Sequence, residues 1–331
     1  MLKYILKRIG YAILVLIGVS LIIYFLTRLM PVDYVKNKVV AMQTSGSTVD
    51  QSTVEAMYQA YGLSADAGAK EIFLGYLSWL GDLVRFDLGE SFIDMEPVAS
   101  KIYHHMGTSF AVALIATIFE FMIAIPLGIT AATHQYSLRD YVVTVLVMIG
   151  ISLPSFFFGN ILKNWLALEL GWFPSSGLVD ATRDSGFFAQ ILDYAHHLFI
   201  PVLTVVILSI GARMRMTRTN MLEVMNSDYI RTARAKGLKE KVVINKHAFR
   251  NTMIPLVTSM AGLLPSLFSG AIITEQVFNL PGIGNVALDA MTRGDIPFIM
   301  GYNMFLALLS VLGILMADLM YGIVDPRVKL E

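Results

Sequence analysis

Six stretches of this chain are long, apolar and nearly uncharged: residues 9–27, 106–133, 141–162, 194–212, 251–274 and 296–317. Each is at least 19 residues long, and Glu120 is the one Asp, Glu, Lys or Arg in the whole set. About 20 helical residues cross the roughly 30 Å hydrocarbon core of a bilayer, so each stretch is expected to be a membrane-spanning helix. The expected fold class is an all-α integral membrane protein with six transmembrane helices. Composition agrees: 56% of the residues are hydrophobic and 15% charged, against a usual charged share of about 25%. Cysteine is absent, which excludes disulfides, cysteine-ligated zinc and thiol catalysis.

Basic and acidic residues balance at 25 each, so net charge points to no partner, nucleic acid included; the information lies in where the charges sit. Six spans put both termini on one side. With that side inside, the inner segments hold sixteen Lys and Arg: Lys3, Lys7, Arg8, Arg139, ten in 213–250, Arg327 and Lys329. The outer segments hold nine, and seventeen of the twenty-five acids. Positive charge collects on the cytoplasmic side of membrane proteins, so both termini are expected in the cytoplasm of a multi-pass protein of the cell membrane. The chain then divides into an N-terminal span (1–30), an extracytoplasmic subdomain (31–105) and a core of five spans (106–331) with a cytoplasmic loop at 213–250.

The first span begins like a signal peptide, but its apolar run is too long and no small-x-small cleavage site follows, so it is expected to stay, closed by Arg28 and Pro31. In the outer segment, Ser52 and Glu55 have capping-box spacing. Ile72, Phe73, Tyr76, Leu77, Leu80, Leu83 and Val84 recur at helical intervals. Glu120 sits near the middle of span two, where a charge is costly and must face protein or water. It either lines a translocation path or fixes one helix against another. Pro154, in span three, removes a backbone hydrogen bond and is expected to kink that helix. The pairs His104-His105 and His196-His197 lack the spacing of a metal site, since neighbours on a helix diverge; no metal and no cofactor is expected.

The basic island at 213–250 holds ten Lys and Arg against Glu223, Asp228 and Glu240. Within it, Ser227 and Asp228 are N-terminal residue types and Gly237 a C-terminal one. A helix of about 13–15 Å is implied between them, too short and too polar to span a membrane. Thr232, Ala233 and Ala235 keep its surface low enough for another protein to approach, and Arg231, Arg234 and Lys236 add charge.

DYIRTARAKGL (228–238), with KHAFRN (246–251) and Ile254-Pro255 after it, resembles the cytoplasmic "EAA" loop of ABC-importer permeases, in the version of the oligopeptide/dipeptide/nickel family. The general pattern has Glu-Ala-Ala where this chain has Arg231-Thr232-Ala233, and Ile-x-Leu-Pro at 247–250; both departures resemble the peptide branch. FDLGESFIDMEPV (86–98), WFPSSG (172–177), HHLFIPVLT (196–204), TEQVFNLPGIGNVALDAMTRGDIP (274–297) and the C-terminal Asp325-Pro326-Arg327 are similar to further stretches of that family.

The resemblance implies a type I importer permease fold. It also implies that a coupling helix (Asp228, Tyr229, Arg231, Thr232, Ala233, Arg234, Ala235, Lys236, Gly237, Leu238, with His247, Arg250 and Asn251) seats in an ATPase subunit. Glu275, Phe278, Pro281, Gly282 and Gly284 are expected in an outer loop on the side where a binding protein docks. The implied partners are a second, homologous permease, two cytoplasmic ATPases, an extracytoplasmic substrate-binding protein and the lipid bilayer. The cargo class is peptides, with nickel chelates or glutathione as alternatives. No G-x-x-x-x-G-K-[ST], G-x-S-x-G or H-E-x-x-H occurs, so no nucleotide site or hydrolase chemistry is expected in this chain. The rival of another class is an ion-coupled carrier, motivated by Glu120 and Pro154.

Overall fold

The computed structural model describes residues 2–30, 34–44, 50–60, 68–179 and 186–324. Pro31, the stretch 325–327 and Lys329 lie outside them. Among the described residues every regular element is helical, apart from an isolated antiparallel bridge between Glu90 and Pro97.

The first helix, α1 (Leu2–Arg28), is followed by three shorter helices, α2 (Tyr34–Thr44), α3 (Gln51–Ala60) and α4 (Ala69–Val84). Next come α5 (Val98–Thr133), α6 (Leu138–Ser152) and α7 (Ser155–Leu162), which runs on as a π-helix, and α8 (Phe187–Met225). The short α9 (Asp228–Ala235) precedes a compound rod. This rod starts with α10 (Glu240–Val242) and a π-turn, continues as α11 (Phe249–Ser259), and passes through a 3-10 turn into α12 (Leu263–Phe268) and then α13 (Ile272–Val277). The outer α14 (Ile283–Arg293) and the final α15 (Ile296–Val324) complete the chain.

Five of the six apolar windows lie on helical segments long and apolar enough to cross a membrane, in α1, α5, α8, the rod Glu240–Val277 and α15. The third does not form one helix. Its halves, α6 and α7, meet at 102°. Leu153 is extended at ψ 133°, and Pro154 opens α7. Proline pushes the residue before it out of the helical region and cannot donate to the preceding turn, so the expected kink is a complete break.

α5 and α8 form the spine. Val112 and Ala116 of α5 pack on Leu198, Ile200, Val202 and Val206 of α8, with Leu162, Leu166, Phe278 and Leu280 closing the cluster. An outer cluster joins Val98 and Ile102 to α14 (Ile283, Ala287, Ala290) and α15 (Phe298, Ile299, Tyr302). An inner one gathers Ala132, Met221, Ile230, Ala233, Val243 and Ala248 beneath α9. Large apolar side chains on α1, such as Ile13, Leu14 and Ile22, are exposed, as suits a surface turned to lipid.

The amphipathic pattern at 72–84 is α4. Its Tyr76 is buried against Tyr24, with its hydroxyl 3.0 Å from Ser20 Oγ of α1. The Ser52–Glu55 box is replaced by a different cap: Asp50 accepts from the Thr53 N–H at 3.1 Å. Aspartate one residue before the first turn is as good an N-cap as serine, and it leaves Ser52 inside the helix.

Candidate functional site

At the basic end of the molecule, α9 begins where Ser227 is extended and ends where Gly237 turns left-handed at φ 74°. The Ser227 hydroxyl donates back to Val224 O at 2.6 Å and does not cap; Asp228 supplies the negative charge that favours a helix N-terminus. Ile230 and Ala233 turn into the inner cluster, Ile230 wholly buried. Ala233, expected on the approachable surface, therefore belongs to the seat of the helix.

Asp228, Tyr229, Arg231, Thr232, Arg234, Ala235, Lys236 and Leu238 remain exposed. Arg231 and Asp228 lie 3.5 Å apart in water, their side chains 73% and 95% exposed, so their pairing contributes little. Arg234 is held by two hydrogen bonds to Glu240, at 2.7 and 3.2 Å. His247 is half-buried in the following π-turn, while Arg250 and Asn251 are exposed on α11, the Asn251 amide donating to His247 O.

The outer residues are arranged in the opposite way. Glu275 is 1% exposed and Phe278 2%. The Glu275 carboxylate accepts from Ser109 Oγ at 2.6 Å and from the backbone N–H of Ala271 and Asn285 at 3.2 and 2.9 Å. Ser109 Oγ accepts in turn from the Ile283 N–H. Backbone packs directly on the carboxylate: a Cβ added at Gly282 falls 2.3 Å from Glu275 Cδ, and one at Gly284 falls 2.9 Å from Oε2. Of the five residues expected in a binding-protein loop, Pro281 alone is exposed, and His105 donates to its carbonyl at 3.2 Å. Glu275, Gly282 and Gly284 form an internal clasp between α5, α13 and α14, and Phe278 packs into the cluster between α5 and α8.

A second clasp stands beside it. Asp295, fully buried, accepts from Ser91 Oγ at 2.5 Å and from the Phe92 N–H at 2.9 Å. Lys101 donates to Ser91 Oγ at 3.1 Å and to Asp94 at 2.6 Å. The stretches 86–98 and 274–297 are thus two halves of one hydrogen-bonded structure.

At mid-membrane, Glu120 accepts from Arg213 Nε at 2.9 Å. Arg213 also donates to Ser259 Oγ at 2.7 Å and covers the Phe121 ring at 4.4 Å. The group ties α5, α8 and α11 together, which favours the helix-fixing role for Glu120. Asp140 accepts two bonds from Arg218, at 3.0 and 2.8 Å. Pro154 is the break between α6 and α7. Sequence reading missed Ser109, Asp295, Arg213, Arg218 and Glu240 as partners. The signal for Arg213 existed, because a buried membrane acid calls for a cation nearby.

A helical core of membrane-crossing length, a break in the third span, two closed clasps at one end and a charged helix at the other describe a multi-pass integral membrane protein. Residues 124–330 match the family described as binding-protein-dependent transport system inner membrane component, and the chain belongs to that family. It is 36% identical over 330 residues to the oligopeptide transport system permease protein AppB of Bacillus subtilis, covering 99% of this chain and 100% of that one. It is 33% identical over 343 residues to the di/tripeptide transport system permease protein DppB of Pseudomonas aeruginosa, 99% of each. A solved structure of the MetNI methionine ABC transporter in inward-facing conformations superposes with a TM-score of 0.51, at 17% identity, over 68% of this chain and 96% of that one. The fold is the type I ABC-importer permease fold.

Proposed function

We propose that this chain is the membrane-spanning permease subunit of an ATP-driven peptide importer, and that α9 is its contact with the ATPase. One observation carries the reading: α9 is seated by Ile230 and Ala233 while its charged and polar face is exposed on the basic side of the protein. The peptide cargo is supported by full-length similarity to peptide permeases.

In this reading a second, homologous permease completes the path and two ATPase subunits each grip one such helix. A binding protein delivers peptide at the outer face, and both termini of this chain lie in the cytoplasm. Closure of the ATPases pushes α9; its seat rests on Met221 of α8 and on Val243 and Ala248 of the rod, so both long elements receive the push. Differential binding of two conformations by nucleotide and cargo then drives the cycle. The ion-coupled alternative loses the charge that motivated it, since Glu120 is tied to Arg213; the break at Pro154 fits either reading, and full-length similarity to peptide permeases favours the importer.

The test is reconstitution of the full assembly in liposomes with Arg234→Glu or Gly237→Asp in this chain. Uptake per ATP hydrolysed is expected to fall about tenfold for lost contacts at a charged interface, with membrane insertion unchanged. Normal coupling in both variants, or transport by this chain alone under an ion gradient, sinks the proposal.

A further inference from the structure

Three arginines stand within two turns of α8, and their fates differ. Arg213 is bonded to Glu120 and Arg218 to Asp140. Arg215 faces no carboxylate among the described residues; its guanidinium reaches Met148 Sδ at 3.4 Å, and a thioether is a weak acceptor.

Arg215 lines an open hollow of about 470 Å³ with Ile151, Ala212, Met216, Thr219 and Asn220. The five α8 residues share one helix face by their spacing of three and four. Ile151 comes from the end of α6, beside the break at Pro154. Asn220 is in the wall of the same hollow, and its side-chain N–H₂ is buried without a hydrogen-bond partner. The hollow is therefore lined by a charged fork of donors and a hydroxyl, with an unanswered amide in its wall, and no carboxylate of its own.

Depth matters as much as chemistry. Met148, which Arg215 touches, lies ten residues into α6, about 15 Å from its start at 1.5 Å per residue. The guanidinium is thus drawn to a level within the membrane. An ionisable side chain at that depth, open to a cavity and unpaired, marks a path for a charged or polar cargo. Arginine suits a carboxylate in particular, since its planar fork gives two parallel hydrogen bonds.

We propose that Arg215, Thr219 and Asn220 form an oxyanion-binding subsite on the inner half of the translocation path, which takes the free carboxylate of a passing peptide. This rests on the peptide-importer reading. Arg215 carries the charge recognition, and the Asn220 amide and Thr219 hydroxyl supply further donors. The carboxylate is held after the outer side has closed and is released toward the cytoplasm.

The experiment uses the complete transporter in liposomes, with one binding protein and two saturating cargoes: a peptide with a free C-terminal carboxylate and the same peptide amidated. In Arg215→Gln and Asn220→Ala, uptake of the free acid relative to the amide is expected to fall several-fold from the wild-type ratio, toward one. ATP hydrolysis stimulated by the binding protein stays unchanged. Arg215→Lys, which keeps charge without the fork, is expected to fall between. An unaltered ratio in the correctly inserted Gln variant overturns the subsite. A loss that is equal for both cargoes and varies with phosphatidylglycerol content assigns the hollow to lipid phosphate and overturns it too. A wild-type assembly that imports neither peptide refutes the importer reading itself, and the subsite with it.

Discussion

The outer turn around Glu275 and the inner helix α9 are both rich in charged and small residues, and both fall in stretches that mark the family. They use those residues in opposite directions. Outside, the acids are driven in: Glu275 and Asp295 are 1% and 0% exposed, each answered by backbone N–H groups and a serine. At α9 the charges are turned out, and the helix is seated on its own chain through Ile230 and Ala233, with Arg234 bonded to Glu240 at its exposed edge. A carboxylate saturated by backbone donors fixes loops to one another. A helix with a buried heel and a free face is fitted to transmit force to or from a partner. The pair separates a closed, hydrogen-bonded frame from an exposed contact surface.

The largest effect is expected where the frame is densest. Glu275→Ala leaves the Ser109 hydroxyl and the N–H groups of Ala271 and Asn285 without their acceptor. At about 1–3 kcal/mol for each unsatisfied buried donor, the sum approaches the roughly 5–15 kcal/mol that holds a typical domain together. The yield of monodisperse, inserted protein is expected to collapse. Glu275→Gln, with the same shape, should recover part of it. A stable, fully inserted Ala variant would break the contrast between frame and contact.

The heel of α9 comes next. Ile230 is completely buried, and truncation of such a side chain costs about 2–5 kcal/mol. Ile230→Ala is expected to loosen α9 while leaving the membrane helices in place, because its cluster lies at the ends of α5 and α8 and shares no buried residue with the cluster between their middles. Hydrogen exchange should rise across 228–238 and not across the outer clasps. Exchange that rises equally on both sides means that the two regions are one cooperative unit.

Much of this plan was legible from the sequence because hydropathy and charge act over long windows. The spans follow from unbroken apolar runs, and α9 from Asp228 and Gly237 at its ends. What was hidden depends on distant partners. Arg213 reads as the first residue of a basic loop because the apolar run stops at Ala212, yet α8 continues to Met225 and carries it to Glu120. From the family resemblance, Glu275, Gly282 and Gly284 are expected in a docking-side loop; their burial comes from Ser109, more than 160 residues earlier. The break at Pro154 was legible as a disturbance, and its size was not, because the angle depends on what α7 packs against beyond it.

The smallest effect lies at the rim of the outer frame and tests how far the saturation extends. Asp94 is bonded to Lys101 at 2.6 Å, but its side chain is 42% exposed. Burial pushes its carboxyl up, and the hydrogen bonds from Lys101, Ser91 and the Glu96 N–H outweigh this and hold it below its ordinary value. A folded-state pKa below the unfolded one adds stability above the unfolded value, near 3.9 for aspartate, and loses it as pH falls through the folded value. Solvent at the rim screens the pair, so the contribution is a small one. Comparing thermal midpoints of Asp94→Asn and the parent in detergent, a slight deficit is expected at pH 6 to 8, shrinking below about pH 4 as the parent's own carboxyl protonates. A deficit as large as that of Glu275→Gln would mean that the rim belongs to the frame; none at any pH would confine the frame to the two buried clasps.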